Sequence, residues 1–304
     1  MSSLSYVEAT VVGLFQGVTE LFPVSSLGHS VLVPALIGGR WAHDLDVSAP
    51  ESSYLAFIVG LHVATAAALL VFFWRDWVLI VTGFFTSLRY RRIQTTGERL
   101  AWLIVIGTVP VGICGLALEH TFRTTLGKPI PAAAFLIVNG ILLYAGERLR
   151  RRERPGEEPA GSVNPGISEP TGDVDDGLAR TPLLQGLVVG SAQVLALLPG
   201  ISRSGVTMTA GLLRGFTHDE AARFSFLLAT PVILAAGVLK VPALFGPLGA
   251  GIGGQVLAGS VASFVSAYLA VRFLTRYFHT RTLTPFAIYC VLAGAGSLIW
   301  LSVR

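Results

Sequence analysis

Six segments of this chain, at roughly 54–73, 100–118, 131–147, 224–241, 252–274 and 285–302, are apolar and almost free of charge. Each approaches the length of about 20 residues that crosses a bilayer core of about 30 Å. Lipid offers backbone groups no hydrogen-bond partner, so a run of this kind folds as a helix, which satisfies them internally. The expected class is an all-α polytopic membrane protein with six transmembrane helices. Composition agrees: 52% of the 304 residues are hydrophobic, only 13% are charged, and mean hydropathy is +0.67, far from a soluble domain. The 34 glycines and 16 prolines suit helices that pack closely and are partly broken.

Two further apolar regions do not read as simple spans. Residues 6–37 are interrupted by Gln16, Glu20, Pro23, Ser25, Ser26, Gly28 and His29, and residues 183–213 by Gln193, Pro199, Gly200 and a Ser-Arg-Ser cluster. Both are expected to form re-entrant helical hairpins. With each hairpin entering and leaving on one side, and the arginine-rich loop 75–99 placed in the cytoplasm, 16 basic residues fall inside and five outside, Arg203 aside. This matches the positive-inside bias. Residues 77–88 read as an interfacial helix or a partial span. The stretch 153–180, rich in Pro, Gly and acidic residues, reads as a disordered cytoplasmic linker between two halves, 1–152 and 181–304. The net charge of +4 follows from loop arginines, so nucleic acid is excluded as a partner. Cys114 and Cys290 lie in apolar segments and read as packing residues.

A shift of 177 residues aligns the hairpins: Gly13 with Gly190, Gln16 with Gln193, Leu21 with Leu198, Ser25 with Ser202, Gly28 with Gly205. In the orientation above the repeat is inverted, which brings the broken helices together near the midplane. Between Arg180 and Arg214 the single ionisable side chain is Arg203. A charge at membrane depth costs at least about 2.5 kcal/mol and persists where it faces a cavity and a partner. Glu20 of the other hairpin, or a phosphate, is the expected partner.

The side chains permit phosphate chemistry. Gln16 and Glu20 are four apart and share a helical face. Glu20 is a candidate general base or ligand for a hard divalent cation, Ser26 a candidate nucleophile, and His29 a candidate proton shuttle or hydrogen-bonding orienter. Arg203 can grip phosphate oxygens in pairs. Ser202, Ser204 and Thr207 add hydroxyls, and backbone N–H groups after the Pro199-Gly200 break would cradle an anion. His62, inside a span, reads as a satisfied interhelical hydrogen bond.

The segments QGVTELFPVSSLGH, LLPGISRSGVT, FSFLLATPVI and TPFAIY resemble the bacterial undecaprenyl-diphosphatase, or bacitracin-resistance, family, and the resemblance spans both halves. It implies a multi-pass enzyme of the bacterial plasma membrane that removes the terminal phosphate from undecaprenyl diphosphate and so recycles the lipid carrier for cell-wall synthesis. It also implies paired re-entrant hairpins, a site open to the outer side, a divalent cation such as Mg or Ca, and homodimerisation. Carried over by position, the acidic-or-glutamine site falls on Gln16, the essential glutamate on Glu20, the serines on Ser25 and Ser26, and the histidine on His29. Ser202, Arg203 and Thr207 come from the second segment. Many relatives have Glu where this chain has Gln16, which leaves Glu20 as the one carboxylate to hold a metal. Phosphatidic-acid-type phosphatases differ: the histidine that follows their Arg after a five-residue spacer is Thr209 here. Two rivals stay open, a transporter or flippase for a polyprenyl phosphate lipid and a structural protein whose polar hairpins only pack.

Overall fold

The computed structural model describes residues 4–45, 53–153, 177–240 and 251–303, with 244 and 246. In chain order the helices are α1 (Tyr6–Leu21), α2 (Ser26–Ile37), α3 (Gly39–Asp44), α4 (Ser53–Phe72), α5 (Trp74–Tyr90), α6 (Thr96–Leu126) and α7 (Pro129–Glu153). After the linker come α8 (Leu183–Ser191), which tightens into a 3-10 turn (Ala192–Leu197), then α9 (Arg203–Leu213), α10 (His218–Lys240), α11 (Gly253–Phe278) and α12 (Thr284–Val303). The linker expected over 153–180 lies, for residues 154–176, outside the described residues.

Each expected span is helical. Five helices, α6, α7, α10, α11 and α12, are long and apolar enough to cross a membrane, and α4 with α5 passes the same test as a pair bent by 88°. The bend at Phe73 redirects the chain, so residues 77–88 belong to a separate amphipathic helix. Ile80, Gly83 and Ser87 of α5 are buried, while Val78, Leu79 and Phe85 face outward. Several helices extend past the apolar runs because polar caps start them early. Thr217 and Glu220 bond each other's backbone N–H at 3.1 and 2.8 Å, a capping box that begins α10 at His218 rather than near 224. Ser5 and Glu8 start α1 in the same way.

Both hairpins pack by removing side chains at their crossings. In α1, a Cβ on Gly13 would run into the backbone of Gly259 in α11, and one on Gly17 into Ser263 and Ser266. In α8, a Cβ on Gly190 would run into the backbone of Gly107 in α6. Each broken helix therefore lies against a long helix of the other half of the chain, through a glycine pair. Small residues at such crossings let backbones approach and gain dispersion contacts that lipid does not offer. Phe57, Phe224, Phe226 and Phe278 are enclosed, yet Leu116, Val238, Leu257, Leu292 and Ile299 are at least two-thirds exposed. Helices apolar on both faces are those of a membrane protein.

Gly13→Leu is expected to lower the melting temperature in detergent, with overpacking costing about 1–3 kcal/mol. Gly112→Leu, at a position where a Cβ meets open space, is expected to leave it unchanged.

Candidate active site

The two helix breaks meet and lock. Pro23 ends the first helical run because it cannot donate to the preceding turn, and Ser25 then takes a positive φ of 70°. That conformation is uncommon for a residue with a Cβ, and three contacts hold it. The Ser25 Oγ accepts from Gly28 N–H at 3.2 Å, starting α2, and from Gly200 N–H of the second hairpin, also at 3.2 Å. The Ser25 carbonyl accepts from His29 Nδ1 at 2.8 Å. Gly200 has φ 110°, and a Cβ there would strike the Ala132 carbonyl, so the break needs glycine. At the position 177 residues on, the Ser202 Oγ accepts from Gly205 N–H at 3.2 Å, and the two aligned serines thus cap α2 and α9 alike.

Asn139 of α7, fully buried, ties the loops together. Its Oδ1 accepts from Ser202 N–H at 2.9 Å, and its Nδ2 donates to the Pro23 carbonyl at 3.1 Å. Ser204 Oγ closes the lock by donating to the Phe22 carbonyl at 3.2 Å.

This lock sets Glu20, at the end of α1, against Arg203, at the start of α9. Arg203 Nη2 lies 3.1 Å from Glu20 Oε1, with the side chains 12% and 7% exposed. A cation at a helix N-terminus opposes the helix dipole, and the carboxylate offsets that. The other carboxylate oxygen, Oε2, accepts from Ser26 Oγ at 2.5 Å and from Gln16 Nε2 at 3.1 Å. Arg203 Nη1 is buried with no hydrogen-bond partner. A stranded guanidinium donor is costly, and an anionic oxygen would satisfy it.

Glu20, Arg203, Ser26 and Gln16 thus form one cluster, as the sequence suggests. Other expected residues sit elsewhere. Of the two roles open to His29, the geometry matches the orienter: its Nδ1–H donates to the Ser25 carbonyl and its Nε2 accepts from the Tyr289 hydroxyl at 2.8 Å. It braces the Ser25 turn. Thr207 Oγ1 donates to the Arg203 carbonyl within α9 at 2.8 Å. The Ser204 hydroxyl donates to the Phe22 carbonyl at 3.2 Å, and the Ser202 hydroxyl donates to Ser204 Oγ at 3.0 Å. Of the N–H groups expected to cradle an anion, those of Gly200, Ser202, Gly205 and Val206 are engaged by the first hairpin, Asn139 and the α9 cap.

His62 makes the interhelical hydrogen bond the sequence suggests, its Nε2 lying 3.2 Å from Gln16 Nε2, and at 3.4 Å from Glu20 Oε2 it also joins the cluster. The structure adds two residues the sequence did not single out. Asn139 and Tyr289 sit in continuous apolar runs, where no pattern marks which helix they face. For Mg or Ca the donor set does not fit a preformed site. Glu20 is the one carboxylate in the cluster, both its oxygens already accept hydrogen bonds, and a guanidinium lies beside it, whereas such ions need about six oxygen ligands. Among the described residues no three His, Cys, Asp or Glu side chains gather to hold a metal.

Residues 9–296 match the family described as bacitracin resistance protein BacA. The chain belongs to this family. It is 73% identical to an undecaprenyl-diphosphatase of Mycolicibacterium paratuberculosis over 99% of each chain. It is 54% identical to undecaprenyl-diphosphatase 1 of Frankia casuarinae, over 97% of this chain and 98% of the relative. An undecaprenyl-diphosphatase of Granulibacter bethesdensis is 40% identical, over 99% and 98%. Membership covers both hairpins and the helices that hold them, so the locked pair of breaks lies wholly within the family region.

Asn139→Ala would strand the Ser202 N–H and the Pro23 carbonyl, at about 1–3 kcal/mol each. A lower melting temperature together with a reduced turnover is expected; an unchanged value of both would mean that the loops hold without it.

Proposed function

We propose that this chain hydrolyses undecaprenyl diphosphate to undecaprenyl phosphate and inorganic phosphate, which recycles the lipid carrier for cell-wall synthesis. Relatives of that name at up to 73% identity over nearly the full chain support the activity. The observation that carries the chemistry is the buried, unpartnered Arg203 Nη1 beside the Ser26–Glu20 pair. In this reading one guanidinium serves two anions: Nη2 stays on Glu20 while Nη1 donates to an oxygen of the terminal phosphate. The carboxylate and the diphosphate can then lie close without direct repulsion.

Ser26 is the nucleophile in this account. Its hydroxyl donates to Glu20 Oε2 at 2.5 Å, the arrangement of a serine activated by an adjacent base. As Ser26 Oγ bonds the terminal phosphorus, its proton passes to Glu20. The bridging P–O bond breaks, its electron pair leaves on undecaprenyl phosphate, and the proton leaves the site to that phosphate or to water, which restores the carboxylate. Water then releases phosphate from the serine, one of its hydrogens staying on the phosphate and the other returning to Oγ. Gln16 orients the carboxylate, and His29 with Tyr289 fixes the turn from which Ser26 projects. Ser25, Ser202, Ser204, Thr207 and Gly200 shape the loops rather than grip the ligand. Mg or Ca, which the family resemblance implies, would come with the diphosphate as its counter-ion and offset its charge, not on a ligand set built by this cluster.

The finer architecture is part of the same proposal: six crossings, two re-entrant hairpins related by an inverted repeat, and a site open to the outer side. The matching Ser25 and Ser202 caps and the exchanged glycine crossings support the repeat. The distribution of loop arginines supports the orientation.

Purified protein given undecaprenyl diphosphate is expected to release phosphate, and Arg203→Ala to cut the rate by about 100- to 1,000-fold, the loss typical of one charge-stabilising donor. Arg203→Lys is expected to restore little, since an ammonium lacks the planar fork that serves both anions. Unchanged release by Arg203→Ala would contradict the reading. Lipid movement across proteoliposomes without phosphate release would favour the transport rival.

A further inference from the structure

We propose that His62, not His29, is the proton-relay residue of this site: it takes from Glu20 the proton that Ser26 gives up. The inference rests on the hydrolase reading above and follows from which atoms can donate. His62 Nδ1 lies 2.8 Å from the Ile58 carbonyl. A carbonyl only accepts, so Nδ1 carries the hydrogen and the neutral ring presents a bare lone pair at Nε2. That lone pair faces the Gln16 amide nitrogen at 3.2 Å, and the same nitrogen reaches Glu20 Oε2 at 3.1 Å. The two amide hydrogens of Gln16 thus hold the imidazole and the carboxylate side by side. Nε2 and Oε2 are 3.4 Å apart, a lone pair against an anion, and the contact becomes a hydrogen bond once a proton enters between them.

Ser26 supplies that proton. Its hydroxyl donates to the same oxygen, Oε2, so Ser26, Glu20 and His62 form a line with the carboxylate in the middle. The charged groups facing His62 are Glu20 from α1 and Arg203 from α9. Around it α11 contributes the hydroxyl of Ser263, bonded to the Leu61 carbonyl and Thr65, and α10 contributes Gly237 against Val63; none of these titrates. The His62 side chain is 29% exposed against 7% for Glu20, so of the two it is the one placed to pass a proton outward.

The balance closes. Ser26 loses one proton as its Oγ–P bond forms and the bridging P–O bond breaks. The proton crosses Glu20 to His62 Nε2 and leaves from there to the departing lipid phosphate or to water. In the second step water supplies the phosphate oxygen; one of its hydrogens stays on the phosphate and the other returns to Ser26. His29 has no such path, since both its nitrogens are engaged with the Ser25 carbonyl and the Tyr289 hydroxyl.

The experiment measures phosphate release from undecaprenyl diphosphate by wild type, His62→Gln and His62→Ala across pH, with melting temperatures to confirm folding. His62→Gln is expected to lower kcat by about 100-fold, the usual loss for one acid–base group, with KM within about twofold and the acidic limb of the kcat profile flattened. Added imidazole is expected to restore part of the His62→Ala rate. A second readout needs no variant: the imidazole nitrogen-15 signals of neutral His62 should show Nδ1 protonated and Nε2 bare. Wild-type kcat and pH profile in His62→Gln would overturn the relay alone, as would a resting ring that carries a hydrogen at Nε2, neutral or charged. No phosphate release from wild type would overturn the hydrolase reading and the relay with it.

Discussion

A carboxylate and a guanidinium 183 residues apart in sequence, Glu20 and Arg203, carry the tightest constraint on this fold. Neither side chain can be buried alone without a penalty of several kcal/mol, and each sits at the end of a helix that stops short because its backbone is broken. The pair holds only when the two breaks lie against each other. That requirement accounts for the locked loops, the buried Asn139 between them and the glycine crossings that bring α1 and α8 close to their supports. One guanidinium nitrogen is left over. In the proposed reaction an anionic substrate would complete it.

The lock separates two jobs that residue type alone would merge. Hydroxyls and N–H groups are plentiful around the breaks, and in an isolated hairpin most would be free to hold phosphate. Here they bind one another: Ser25 to Gly200, Ser202 to Gly205, Ser204 to Phe22. The polar backbone that membrane burial would leave unpaired is satisfied by the opposite hairpin or by the hairpin's own serine cap. Beside them Arg203, Ser26, Glu20, Gln16 and His62 bond one another in a separate cluster.

How much of this was legible in the sequence depends on which physical signal each residue left. Arg203 and Glu20 stood out because charge within apolar runs is costly, and the spans stood out by length. The repeat made Ser25 and Ser202 legible as partners in role, since both follow a break and precede a glycine. His62, Asn139 and Tyr289 left no such signal. A single polar residue in an uninterrupted span looks the same whether it packs, braces or reacts, and its partner is fixed by helix rotation and crossing, which local sequence does not encode. His29 shows the converse: the motif marks it but leaves shuttle and orienter open, and only the fold shows that, one helical turn past Ser25, its ring reaches back to the Ser25 carbonyl and across to Tyr289 instead of toward Glu20. The polar caps that lengthen α10 were present in the sequence but lay outside the apolar window that defines a span.

The central claim is that Arg203 holds Glu20 with one nitrogen and the terminal phosphate with the other. A structure of the protein with a diphosphate analogue whose bridging oxygen is replaced by methylene tests it most directly. The account expects a phosphate oxygen within hydrogen-bond distance of Arg203 Nη1, the Nη2–Glu20 contact retained, and Ser26 Oγ facing the terminal phosphorus. Phosphate bound elsewhere, or an Arg203 turned fully away from Glu20 to reach it, would contradict the account.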